Sequence, residues 1–229
     1  MYSLKTSSRN TADTGLQKFL MGIYSYMALG LGLTGVVGFA INVAPPGIRH
    51  FFHSISPIVG FLTLGLVWIM GSRIGQATVQ RAQTLFWVYA ALVGVSLAGF
   101  LSQFSIHAIS RAFFVTSFMF GGASAFGYLT KKDLTRMGSF LIMGALGLVI
   151  ASVINIFLAS SITDFAISIL GVIVFTGLAA YDTQALKDLY FRLPLDTSIR
   201  ERASILGALN LYLDVLNMFL YMLRLGDRD

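Results

Sequence analysis

A chain of 229 residues that is 56% hydrophobic and 11% charged is not an ordinary soluble domain, where about a quarter of residues are charged. Its mean hydropathy of +0.77 leaves too little polar surface to cover a compact body, and the lack of cysteine excludes disulfides, thiolate metal sites and a cysteine nucleophile. The net charge of +6 comes from Lys and Arg scattered through short connectors, which fits anionic lipid and membrane orientation and not nucleic acid.

A bilayer core takes about 20 apolar residues per helix, and seven runs approach or exceed that length. Residues 1–18 are expected to form a cytoplasmic tail, and 19–229 a single transmembrane domain. The first run, Phe19–Ile41, is too long for a signal-peptide core and lacks a convincing small-residue cleavage site, so it is expected to be retained. The second, Ile55–Met70, is the shortest and has Pro57 near its expected start, where proline is tolerated. Leu85–Phe104, His107–Leu129, Met137–Leu158, Ile162–Ala185 and Ile205–Leu223 complete the set. Gly30, Gly32, Gly35 and Gly38 in the first run, with Gly121, Gly122 and Gly127 in the fourth, predict close helix packing. His50, His53 and His107 fall in or beside connectors without a His-Glu-x-x-His pattern, so zinc chemistry is not expected. The longest connector, Leu186–Ser204, is polar, contains Pro194 and is expected to be a cytoplasmic loop. No internal repeat supports a transporter of inverted halves.

Charge sets the expected direction. Lys5, Arg9, Lys18, Arg73, Arg81, Lys131, Lys132, Arg136, Lys187, Arg192, Arg200 and Arg202 lie on one side, making 12 of the 16 basic residues. Arg49, Arg111, Arg224 and Arg228 lie on the other. The N-terminus is therefore expected in the cytoplasm and the C-terminus opposite. Trp68, Trp87 and Tyr128 sit near the expected cytoplasmic helix ends, as an interfacial belt would. A six-span version, with the last run dipping in and returning, fits Arg224 and Arg228 equally well.

Of the ten acidic residues, only Asp182 and Asp214 fall inside spans; Asp164 sits at the start of the sixth run, where it suits a helix N-terminus. A carboxylate at mid-bilayer costs about 2.5–3.5 kcal/mol on insertion scales. In the seventh run Asn210, Asp214, Asn217 and Tyr221 recur at helical spacing, a polar stripe expected to face the bundle interior. One reading is inter-helix glue, with the Asn side chains bonding across helices. The other is a proton-sensing pair. Two carboxyls in one site cannot both ionise cheaply, so near neutral pH they would share a proton and titrate as a unit. Losing that proton would push the helices apart, and a hard cation such as calcium could bind the freed oxygens. Asp182 falls near the cytoplasmic end of its run and Asp214 near the middle of its own, so tilt or a late helix start must bring them level.

The segments Gly171-Val-Ile-Val-Phe-Thr-Gly-Leu-Ala-Ala-Tyr-Asp182-Thr-Gln and Ser204-Ile-Leu-Gly-Ala-Leu-Asn-Leu-Tyr-Leu-Asp214-Val-Leu-Asn-Met-Phe resemble the Bax inhibitor-1 (transmembrane Bax inhibitor motif) family, particularly its bacterial members. Gly127-Tyr-Leu-Thr-Lys-Lys-Asp133-Leu and Asn155-Ile-Phe are similar too. The resemblance implies an all-α polytopic membrane protein of seven transmembrane helices, two three-helix layers wrapping a central C-terminal helix. It implies a non-enzymatic, pH-sensitive calcium leak in a bacterial inner membrane, with Asp182 and Asp214 as proton sensor and calcium ligands and no cofactor. A basic residue near the end of the second helix can partner an aspartate in this family, and Arg73 holds that place here. Other members are linked to cell-death suppression or to modulating a membrane protease, so the alternative is a non-conducting regulator with a membrane-protein partner. A remoter alternative is an intramembrane aspartyl protease, whose first motif would be Tyr181-Asp182. Its second requires Gly-x-Gly-Asp, where this chain has Leu211-Tyr-Leu-Asp214.

Overall fold

The computed structural model describes the backbone of residues 2–73 and 77–226, with side chains from residue 14 onward except that of Arg73. Seven helices follow one another: α1 (Tyr2–Val43), α2 (Pro46–Arg73), α3 (Val79–Leu101), α4 (Ile106–Leu129), α5 (Thr135–Leu158), α6 (Ser161–Arg192) and α7 (Thr197–Gly226). Each contains a stretch long and apolar enough to cross a membrane, and no strand occurs among the described residues. At 30 residues α7 is about 45 Å long and unbroken. It offers no turn at which a re-entrant segment could reverse.

Burial separates the helices. The most apolar stretch of α5 is only 11% buried, whereas that of α7 is 56% buried. Without water around it, a span's apolar residues suit lipid as well as protein. Phe118, Phe157 and Trp68 are accordingly 80% or more exposed.

Several helices outrun their apolar cores. The expected loop Leu186–Ser204 is mostly helix: α6 continues to Arg192 and α7 begins at Thr197, leaving residues 193–196 as connector. Hydropathy detects only the bilayer-crossing part, and the polar turns beyond it are helical all the same. The expected tail before Phe19 likewise belongs to α1. In α2, Pro57 lies inside the helix and not near its start. Proline there cannot donate to the carbonyl four residues back. That carbonyl, on His53, accepts instead from the Ser56 hydroxyl at 3.0 Å, the kind of repair that makes proline tolerable in a span.

The described chain forms two compact units, Met1–Gly99 with Leu186–Leu209, and Phe100–Ala185 with Asn210–Asp229. In the first, α1 and α3 approach closely: a Cβ on Gly94 would stand 2.7 Å from the Thr34 carbonyl oxygen, and the Thr34 hydroxyl donates to Ala90 O at 2.8 Å. Nearer the end of these helices the Asn42 amide donates to Ala98 O at 3.0 Å. In the second unit, Gly127 of α4 lies against the backbone of Ala180 in α6. Gly30 and Gly38 of α1 are buried, as expected of packing residues, but the remaining four are not. Gly32, Gly35, Gly121 and Gly122 have open space where a Cβ would point, because they fall on uncovered helix faces.

Candidate functional site

Asp182 and Asp214 both belong to the second unit, on α6 and α7. Their relation follows from the packing of these antiparallel helices. The Thr176 hydroxyl lies 3.8 Å from Met218 Sδ, Gly171 lies against the Tyr221 ring, and Phe175 stacks on Tyr221 with centroids 5.9 Å apart. Gly171, Phe175 and Asp182 share one face of α6 at spacings of four and seven, while Asp214, Met218 and Tyr221 share one face of α7. The register set by those contacts places Asp182 across from residues 210–212, within a turn of Asp214. No late helix start is involved: α6 runs past the expected Ala185 to Arg192, and α7 begins at Thr197, ahead of the expected Ile205.

The two carboxyls differ in setting. Asp214 is 5% exposed and its Oδ2 has no hydrogen-bond partner. Asp182 is half-buried. Buried polar atoms are nearly always bonded, so an orphan carboxyl oxygen is a costly feature in a span. Only one other buried orphan occurs among the described residues, the Thr116 hydroxyl of α4.

The polar stripe of α7 is only partly interior. Tyr221 is buried, but Asn210 is exposed and Asn217 half-buried. Asn217 donates to Leu213 O of its own helix at 2.8 Å and not across to a neighbour, so it is satisfied locally. Helical spacing fixes a shared face; it does not fix how far the partner helices cover it. The expected partner Arg73 closes α2, but its side chain lies outside the described residues.

The residues that hold α6 in place were not singled out by sequence. A Cβ on Gly138 of α5 would collide with the Tyr181 ring. The Thr183 hydroxyl donates to Ala179 O at 2.8 Å and lies 3.2 Å from the Ser124 hydroxyl of α4. Gln184 accepts from the Leu134 N–H at 2.8 Å and donates to Lys132 O at 2.9 Å. The Tyr-Asp-Thr-Gln run carried this signal, but its neutral members do not stand out by charge. At the other end of the unit Arg224, in the last turn of α7, pairs at 3.6 Å with Asp164, in the first turn of α6. Together with Phe100, Phe104, Ser152, Asn155 and Ile156 they line a cavity of about 480 Å³.

Seven apolar helices, with a carboxyl on each of the last two brought to one level, define a multi-pass all-α membrane protein with an acidic pair in its interior. The chain belongs to the Bax inhibitor-1 family: the family model described as "Inhibitor of apoptosis-promoting Bax1" matches residues 16–227. It is 44% identical to an uncharacterised protein of Rickettsia prowazekii, over 99% of this chain and 97% of that one. It is 39% identical to an uncharacterised protein of Caulobacter vibrioides, covering 96% and 92%. It is 38% identical to the inner membrane protein YbhL of Escherichia coli K12, covering 93% of each.

Proposed function

We propose that this protein is a pH-sensitive cation leak, with calcium as cargo, gated by Asp182 and Asp214. The observation that carries this reading is the buried Asp214 carboxyl with an unpartnered Oδ2, one turn from a second carboxyl. Glue would require partners for that oxygen, and a purely structural position would be better filled by an apolar side chain. With one proton held by the pair, its charge is low enough for α6 and α7 to stay packed at this level. Loss of the proton leaves two like charges in low dielectric, which drives α6 and α7 apart.

Calcium takes six to eight oxygens, and two carboxylates supply at most four. Among the described residues no group of three acidic or histidine side chains gathers to complete a cage. The pair therefore suits a passing ion, not a resident one. No catalytic step is assigned: the protein acts by conduction, without a cofactor. The excess of basic residues on one set of connectors supports a cytoplasmic N-terminus and a C-terminus opposite, and the relative named as an inner membrane protein supports a bacterial inner membrane.

The test is flux from purified protein in liposomes loaded with a calcium dye. The leak reading expects calcium entry that varies with pH and is altered by Asp182→Asn and by Asp214→Asn. Equal flux in both variants and in empty liposomes would overturn it. Absence of flux from a protein that co-purifies with another membrane protein would instead establish the non-conducting regulator.

A further inference from the structure

The cavity lined by Arg224 and Asp164 lies at the end of the second unit away from the acidic pair, and it takes no part in the proposed leak. Its walls come from helix ends that meet at one level: the last turns of α5 and α7, the first turn of α6, and the chain around the end of α3. At about 480 Å³ it falls within the range of about 300–1,000 Å³ that small-ligand pockets occupy.

Two opposite charges share this space without closing on each other. Arg224 Nη1 stands 3.6 Å from Asp164 Oδ1, and each side chain is 35% exposed. A close pair of this kind is about 2.7–2.9 Å apart, and a part-exposed pair at the longer distance contributes little. Aromatic faces set the guanidinium instead, 5.6 Å from the Phe100 centroid and 5.9 Å from that of Tyr221. Arginine carries five N–H donors, and the contact with Asp164 engages one nitrogen. Ser152 adds a hydroxyl. Asn155 commits its oxygen to the Ser160 N–H at 3.3 Å, so what it can offer the cavity is its NH2.

These donors suit a phosphate, and the carboxylate beside them suits an ammonium. One wall is apolar, made by Phe100 and Phe104, with rings 5.0 Å apart, and by Ile156. From Ile156 an exposed apolar stripe runs along α5 through Val153 and Val149, at spacings of three and four. It leads from the helix end into the span, the path of an acyl chain.

We propose that this cavity binds the headgroup of an aminophospholipid, phosphate on Arg224 and primary ammonium on Asp164, with an acyl chain along Val149, Val153 and Ile156. The headgroup replaces one long ion contact by two short ones. Both charges are needed: an anionic headgroup gives Asp164 no partner, and a quaternary ammonium has no N–H to donate to it. On the orientation that the basic residues support, the lipid belongs to the non-cytoplasmic leaflet. The site stands apart from Asp182 and Asp214, and binding there does not require that the protein conduct.

The experiment is native mass spectrometry of the full chain in detergent, titrated with phosphatidylethanolamine, phosphatidylcholine and phosphatidylglycerol of identical acyl chains. Glycerophosphoethanolamine, the same headgroup without chains, is the fourth ligand. The ethanolamine lipid is expected to bind about tenfold tighter than the other two lipids, and Arg224→Gln and Asp164→Asn each to remove that preference. Should those variants not fold, an ethanolamine lipid with a photoreactive group at the head of its acyl chain locates the site on the wild-type chain. Labelling is then expected at Phe104, Val153 or Ile156. Equal binding of the three lipids would overturn the proposal, as would labelling spread evenly over the helices. Glycerophosphoethanolamine bound as tightly as the lipid would also overturn it, leaving a site for a soluble phosphate ester.

Discussion

Gly171 of α6 lies beneath the ring of Tyr221 of α7, so close that a Cβ at position 171 would fall among the ring carbons. The ring cannot simply turn aside, since Phe175 is stacked on it at 5.9 Å and the Arg224 guanidinium lies 5.9 Å from its centroid. Gly171→Ala is expected to destabilise the protein by about 1–3 kcal/mol through overpacking. Gly144→Ala is the control: its Cβ would meet Val174 at 3.5 Å, an ordinary contact, and should change little. Melting temperatures of the two variants in one detergent check the contrast. Equal values would mean that α6 and α7 yield at this contact.

Asp214 sets stability against function. Its unpartnered Oδ2 incurs a burial cost without a compensating bond. Asp214→Leu is expected to stabilise the protein by about 1–3 kcal/mol while removing the pH response of calcium flux. Asp182→Leu should stabilise less, since Asp182 is half-buried and water offsets part of its cost. Thermal unfolding and liposome flux, measured on the same preparations, separate the two effects. A destabilised Asp214→Leu would show that the carboxyl is held by a partner after all.

The helix order and the acidic pair were legible because each follows from one strong physical rule. Only a long apolar run can satisfy its backbone inside lipid, and a carboxyl in such a run stands out by its cost. What escaped were features that hydropathy does not encode. Leu186–Arg192 and Thr197–Ser204 are helical but polar, so they resemble a loop. Gly32 and Gly122 look like packing residues, yet no neighbour covers them, and that depends on which way each helix is turned. Asn210 has the spacing of Asp214 and is exposed nonetheless. Gln184 and Gly138 carry no charge and break no pattern, so only coordinates reveal that they hold the residues flanking Asp182.

The start of α7 carries an acid-sensitive cap outside the apolar span. Asp196 Oδ1 accepts from the Ser198 N–H at 2.8 Å, the Ser198 hydroxyl at 2.7 Å and the Ile199 N–H at 3.2 Å. The Ser198 hydroxyl bond, then the backbone bonds of Ile199 and Ser198, hold this carboxyl below its ordinary value of 3.8. A group depressed on folding stabilises fully above its unfolded value and loses that contribution as pH falls through the folded one. The cap should therefore be intact at neutral pH and fail only below about pH 3.8. Asp196→Asn keeps an acceptor but removes the charge, so its stability should fall less steeply on acidification than that of wild type. Melting temperatures from about pH 6 down to about pH 3 test this, and parallel curves would show that the cap contributes nothing through its charge.

Ala159, joining α5 to α6, is the single described non-glycine residue with positive φ, at φ 48° and ψ 34°. This left-handed turn lets its N–H reach Asn155 O at 2.8 Å, while the Asn155 side chain accepts from the Ser160 N–H at 3.3 Å. Both bonds serve to reverse the chain within two residues. An L-residue with a Cβ pays about 1–2 kcal/mol for this conformation, and glycine does not. Glycine also gains freedom in the unfolded chain, which returns part of the benefit. Ala159→Gly is thus expected to stabilise by up to about 1 kcal/mol, whereas Ala159→Val, branched at Cβ, should destabilise. The ordering Gly above Ala above Val in melting temperature is the measurable outcome; Val equal to Ala would mean that the turn is not held in the left-handed region.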